Sequence, residues 1–440
     1  MRSTLNLMCR LIICSSAFST LLFPLNATEL ADEDDINLSS EPVITPTTAD
    51  QETLNAAPNI TDETLLVVSE PQKEERGALQ LLGSEVPVGM FGTLYWKPVQ
   101  SFQSIETPVP VLVVHGKEAG PRICLTAAIH GDELNGIEMV RRLMYQLDPT
   151  TMKGTVIGIP IVNLDGFRRG SRYLADRRDL NRHFPGSVDG SAADRIGYSL
   201  FNDVIRQCHY LVDLHTGSLQ RSNLPQIRGN LKDEQVFDFS RHFGGITVLH
   251  GVGAKGTLRR AANDIGIPAV TMEAGGPHQL DESAVDAGVQ SIETLLENLG
   301  MQKSKRFWSA PQPVFYQSSW VRANQGGILM STVKLGDKVR KGQTLGSVID
   351  PISNTGSTII APFNGRVLGI AYNQVVQTGF ATHHVGVEKA PKAVQEEVIE
   401  KEAEKEKEKE AEKQPQSLDP SCGDELDSTT NDTISPCNDE

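Results

Sequence analysis

The stretch RICLTAAIHGDELNGIEMV, residues 122–140, decides how this chain is read. It opens as an apolar run, breaks at His130, Asp132 and Glu133, and resumes with apolar residues at helical spacing. An apolar run of this length fits a strand buried on both faces, and the periodic continuation fits an amphipathic helix. The polar break therefore falls where a strand turns into a helix. His130 and Glu133 lie three apart there, so a ring nitrogen and a carboxylate oxygen can reach one ion. Taken alone, a His-x-x-Glu is more often an ordinary helix start, so its surroundings decide the reading.

Those surroundings repeat the pattern. VLVVHG (111–116), TVIGIPIVN (155–163), YLVDLHTG (210–217), GITVLHG (245–251) and AVTMEAGG (269–276) read as further buried strands. ELNGIEMVRRLMYQL (133–147) and DESAVDAGVQSIETLLENL (281–299) read as helices. The alternation predicts an α/β domain with a mixed, largely parallel sheet and helices on both faces. In such sheets ligands bind beyond the carboxyl ends of the strands. His130, His215 and Glu273 all stand at such ends. His130, Glu133 and His215 around an open fourth position make the arrangement of catalytic zinc, one ion per chain. Cys124 and Cys208 lack the spacing of a structural zinc site and read as buried free thiols.

Between the first and third of these ligands stands GSRYLADRRDLNRHFPG (170–186). With HGDE (130–133), RDLNRHFPG (178–186), DLHTG (213–217) and MEAGG (272–276) in that order, residues of about 80–390 resemble the succinylglutamate desuccinylase and aspartoacylase family, a branch of the zinc carboxypeptidase-like hydrolases. The resemblance implies that His130, Glu133 and His215 bind zinc, that Asn181 and Arg182 hold a substrate carboxylate, and that Glu273 is the general base. It implies that Arg172 polarises the scissile carbonyl, with Arg168, Arg177 and Arg178 as rivals, because this loop is about two residues longer than in aspartoacylase-like members. The chemistry agrees. Zinc acidifies water and polarises carbonyls, a carboxylate can relay a proton, and arginine's planar fork matches carboxylates. Asp213, two residues before His215 on one strand face, is placed to orient that imidazole or to pair with an arginine.

Composition sets the frame. Residues 28–80 carry 13 acidic and 2 basic side chains and residues 389–440 carry 16 and 7, so the net charge of −15 belongs to the ends. The middle is close to neutral and offers no basic nucleic-acid surface. Residues 1–27 have the layout of a signal peptide, which predicts export, to a periplasm, with an uncleaved membrane-tethering leader as the alternative. Residues 28–79 read as an acidic disordered linker, 80–305 as the catalytic domain, 306–389 as a β barrel and 390–440 as an acidic Glu/Lys-rich disordered tail. Cys422 and Cys437 in that tail can pair in an oxidising compartment.

GDKVRKGQTLGSV (336–348) and APFNGRVLGI (361–370) resemble the biotinyl and lipoyl carrier fold, a small all-β barrel. The hairpin that would carry the modified lysine is IDPISNTGSTII (349–360), without lysine, so the barrel is expected to wall the site and not to swing. Gly251, Gly253 and Gly256 follow a strand in G-x-G-x-x-G order, but no further strand and helix units complete a dinucleotide fold, and no nucleotide cofactor is expected. The function expected is zinc-dependent cleavage of the amide bond of a small carboxylate-bearing N-acyl amino acid. The alternatives are a metallocarboxypeptidase or amidase acting on cell-wall peptides, and a catalytically silent binding protein.

Overall fold

The computed structural model describes residues 76–98, 107–304, 313–372 and 374–413. The segment read as a leader, nearly all of the acidic linker, and the end of the tail with Cys422 and Cys437 lie outside these residues.

A short hairpin, β1 (Leu79–Leu81) and β2 (Ser84–Val86), leads into β3 (Met90–Trp96) and β4 (Val109–His115). Then follow β5 (Glu118–Ala127), α1 (Asn135–Gln146), β6 (Lys153–Ile159), α2 (Leu164–Arg169), α3 (Ala192–Asp203), β7 (Tyr210–His215) and β8 (Arg221–Gly229). The α/β part closes with α4 (Glu234–Arg241), β9 (Thr247–His250), α5 (Leu258–Asp264), β10 (Ala269–Gly275) and α6 (Glu282–Asn298). Strands β6, β5, β7 and β10 run parallel, whereas β3 and β4 pair antiparallel with their neighbours and β8 pairs antiparallel with β10 but parallel with β9, so the sheet is mixed as expected.

Alternation along the strands explains why both faces are covered. Ile123, Leu125 and Ala127 of β5 join Val270 and Met272 of β10 in a core packed by Met139 and Leu143 of α1 and Ile292 of α6. The intervening Cys124, Leu211 and Ala269 face the other way, onto Leu200 of α3 and Leu258 of α5. A period of two with both faces apolar is what a doubly covered sheet requires.

Cys124 and Cys208 form a disulfide, with Cα atoms 5.9 Å apart, which corrects their reading as free thiols. They are 84 residues apart, and only the pairing of β5 with β7 brings them together.

The C-terminal part is all-β, with β11 (Val314–Arg322), β12 (Gly327–Ser331), β13 (Lys338–Val339), β14 (Thr344–Ile349), β15 (Gly356–Ile360), β16 (Gly365–Ala371), β17 (Gln374–Val376) and β18 (Ala381–Lys389). Five strands close into a small barrel, and Leu329, Leu345, Val348, Val367 and Val385 form its core. These strands continue the α/β sheet: β11 pairs parallel with β9, and β16 pairs antiparallel with β8. The order across all twelve strands is β13-β16-β18-β11-β9-β8-β10-β7-β5-β6-β4-β3.

Residues 391–413, the Glu/Lys-rich start of the tail, form a helix, α7 (Pro391–Lys413). Its first turns dock through buried Val394, and Glu397 pairs with Lys389 and Lys401. No helix among the described residues is long and apolar enough to cross a membrane.

Candidate metal and catalytic site

Strand β5 ends at Ala127, and Ala128 takes a φ of 50°, which turns the chain out of the sheet. The turn that follows places His130, and α1 begins only at Asn135, so Glu133 stands in the turn and not on the helix predicted from residue 133. The backbone N–H of Glu133 donates to the carbonyl of His130, closing that turn. Gly131 is required between them: a Cβ there would lie 2.0 Å from the carbonyl carbon of Gly166 in α2.

Parallel pairing supplies the other members. Thr126, Asp213 and Thr271 are in register across β5, β7 and β10, and two residues further on His215 is in register with Glu273. Registered residues point to one face. A polar row thus replaces the apolar one at the carboxyl ends of these strands.

His130 Nδ1 lies 2.8 Å from Glu133 Oε1, His215 Nδ1 lies 2.9 Å from Glu133 Oε2, and the two Nδ1 atoms are 3.2 Å apart. All three side chains are buried, and one donor atom from each falls within 4.8 Å of the others. This is a donor set that can hold one metal ion. Both Nε2 atoms are engaged on the far side, His130 with Asp179 Oδ1 at 3.0 Å and His215 with Asp213 Oδ2 at 2.8 Å. A carboxylate on Nε2 puts the proton there and leaves Nδ1 as the lone-pair donor. Thr126 Oγ1 donates to Asp213 Oδ1 at 2.7 Å, holding that carboxylate in turn.

Electrostatics follow from this crowding. Burial would raise the Glu133 carboxyl, but the two adjoining histidines hold it well below its ordinary range. Burial would lower both imidazoles, yet Glu133 with Asp179 raises His130 and Asp213 with Glu133 raises His215. The carboxylates around the two imidazoles thus favour positive charge at this point, which a bound dication would supply.

Arg172 reaches this cluster, with Nη2 2.9 Å from Asp179 Oδ2 and Nη1 3.4 Å from Glu133 Oε1. Its rivals do not. Arg168, Arg177 and Arg178 are exposed, and Arg178 pairs with Asp176. Asn181 is buried, and its Oδ1 accepts from the N–H of Leu258 at the start of α5, which leaves its amide hydrogens as the free donors of that side chain. Arg182 is half-buried beside it and adds positive charge near Asp179. The glycine-rich loop after β9 packs here: the N–H of Phe184 donates to Gly256, where a Cβ would stand 2.2 Å from the carbonyl oxygen of Arg182. Glu273 is buried, and Asn223 Nδ2 donates to its Oε2 at 3.2 Å.

Sequence reasoning missed Asp179, Thr126 and Asn223. Asp179 stands inside the RDLNR motif and was within reach. Asn223 was not, because it lies on β8, whose polar run RSNLPQIRG carries no strand pattern. His183 pairs with Asp194, and His209 accepts from the N–H of Arg122, so both hold structure.

Fold and site together define a mixed-sheet α/β enzyme domain with a buried His-Glu-His set able to hold a metal ion. Residues 119–299 match the family model "Succinylglutamate desuccinylase/Aspartoacylase catalytic domain", which assigns that stretch to this family, one of deacetylase- and desuccinylase-type hydrolases of acyl amino acids. The N-alpha-acetyl-L-2,4-diaminobutyric acid deacetylase of Halomonas elongata is 27% identical over 255 residues, 55% of this chain and 74% of that protein. Among solved structures, a succinylglutamate desuccinylase/aspartoacylase from Rhodobacter sphaeroides superposes with a TM-score of 0.61 at 21% identity, covering 72% of this chain and 97% of its own. The product-bound ectoine utilization protein EutE (DoeB) of Ruegeria pomeroyi gives 0.61 at 22% identity, covering 69% and 97%. At these identities the structural likeness concerns the fold.

Proposed function

We propose that this chain is an exported, zinc-dependent amidohydrolase that removes the acyl group from a small N-acyl amino acid bearing a free carboxylate. The observation that carries the reading is the convergence of two Nδ1 atoms and a carboxylate within 4.8 Å, each imidazole backed by its own carboxylate. Two neutral nitrogens and one oxygen suit zinc better than the all-oxygen shells of calcium or magnesium. Held by His130, Glu133 and His215, zinc would supply Lewis acidity at the amide carbonyl and a lowered pKa for water.

The chain's own groups do the rest. Asn181 and Arg182 receive the substrate carboxylate, a planar anion that amide and guanidinium donors match. Arg172, already between Asp179 and Glu133, directs positive charge towards the carbonyl oxygen as negative charge develops on it. Glu273 takes a proton from the attacking water and returns it to the leaving nitrogen as the C–N bond breaks. One water is consumed, and a carboxylic acid and a free amine leave. The leader pattern and the Cys124–Cys208 disulfide support export to an oxidising compartment.

The test is metal analysis of purified protein followed by a screen of N-acetyl and N-succinyl amino acids beside cell-wall peptides. One zinc per chain and hydrolysis of the small substrates are expected, with both lost in His130→Ala and His215→Ala. Glu273→Gln should keep the zinc and lose roughly a hundredfold to ten-thousandfold in turnover. Zinc-loaded protein that cleaves only the peptides would overturn the substrate class.

A further inference from the structure

Strand β8 lies between the catalytic strand β10 and strand β16 of the barrel, and one of its residues touches both sides. Asn223 is the register partner of Gly275 on β10 and of Gly369 on β16. The pairing of β8 with β10 shifts register between Glu273 and Gly275, whereas its pairing with β16 is regular. An irregularity of this kind re-aims side chains beside active sites. Here the Asn223 amide meets Glu273, Nδ2 to Oε2 at 3.2 Å, with both side chains buried.

The other end of the amide is set by the barrel. Asn223 Oδ1 is buried without a hydrogen-bond donor, and a Cβ at residue 369 would stand 2.7 Å from it. That Cβ would also lie 3.1 Å from His384 Cβ and 3.3 Å from Trp320 Cη2. Trp320 stacks on His384 with ring centroids 4.5 Å apart, and the Arg221 guanidinium lies 5.1 Å from the Trp320 ring. The wall behind Gly369 is therefore stiff, and only a residue without a side chain leaves the Asn223 amide its place.

We infer that Asn223 is a positioning residue that holds the Glu273 carboxylate, and that the barrel strand β16 fixes it through the bare backbone of Gly369. The barrel thereby completes the reacting centre from behind. This rests on the proposed role of Glu273 as the base.

The test compares zinc-loaded wild-type protein with Asn223→Leu, of similar shape but without a donor, with Gly369→Ala, and with the double variant. Each single change is expected to lower kcat about tenfold to a hundredfold, the worth of one hydrogen bond to a charged group. KM should stay within about twofold, because neither residue meets the substrate carboxylate. The double variant should lose no more kcat than Asn223→Leu alone, since both act through one bond. Crystal structures of the two single variants should show the Glu273 carboxylate displaced from its wild-type position, a readout that needs no substrate. Unchanged kcat in Gly369→Ala, additive losses, or a Glu273 carboxylate that stays in place would each overturn the inference. A wild-type protein inactive on every N-acyl amino acid would instead count against the proposed function, and the crystallographic comparison would still decide the positioning.

Discussion

Replacing Asp213 tests whether the metal site is built from its outer partners inward. Asp213 is fully buried, accepts from Thr126 Oγ1 at 2.7 Å, and meets His215 Nε2 at 2.8 Å. Asp213→Asn keeps an acceptor for the imidazole but removes the charge that makes Nδ1 a better donor. Asp213→Ala removes both, and leaves the Thr126 hydroxyl and the imidazole N–H buried without a partner, at about 1–3 kcal/mol each. Loss of such a partner typically costs about 10–100-fold in metal affinity. The asparagine variant should fall near the lower figure, and the alanine variant near the upper, about 2.7 kcal/mol. Competition titration against a zinc chelator measures this directly, and thermal melts of metal-free and zinc-loaded protein separate it from a general loss of stability. Zinc should raise the Tm of the alanine variant less than that of the wild type, because the stabilisation scales with the logarithm of affinity. An alanine variant that binds zinc as tightly as the wild type would refute the argument that Asp213 sets the donor atom of His215.

Two further predictions follow from packing and burial. Gly131→Ala forces a methyl group against the backbone of α2 and should destabilise the fold by about 1–3 kcal/mol while lowering zinc occupancy; urea unfolding at wild-type stability with full zinc would contradict the account of the turn. His383, buried against Ser331, is pushed down to about 4 by burial, so it is neutral in the fold but protonated in the unfolded chain below about 6.5. Its contribution to stability is therefore present at neutral pH and lost as pH falls from about 6.5 to about 4, by about 1.4 kcal/mol per pH unit. His383→Gln should flatten that limb in unfolding measurements at several pH values, and an unchanged slope would rule out His383 as its source.

What could be read without coordinates was local. His130 and Glu133 are three residues apart at a strand end, and His215 and Glu273 each end an apolar run, so periodicity alone put four site residues at one edge of a sheet. The same logic fixed the alternating α/β pattern, because it depends on neighbours in the chain. Tertiary structure decided whatever depends on strand pairing. Cys124 and Cys208 became a disulfide because β5 and β7 are adjacent, and nothing within 84 residues of chain announces that. Val394 and Val398 are too few to give α7 an apolar face by pattern, yet they are enough to dock its first turns. Strand β8 has a proline and few apolar residues, so its pattern reads as loop, but pairing on both edges makes it a strand and delivers Asn223 to Glu273. The barrel joined the catalytic sheet for the same reason. Backbone hydrogen bonds carry no residue identity, so which strands lie side by side is settled by the packed fold and not by the residues of either strand alone.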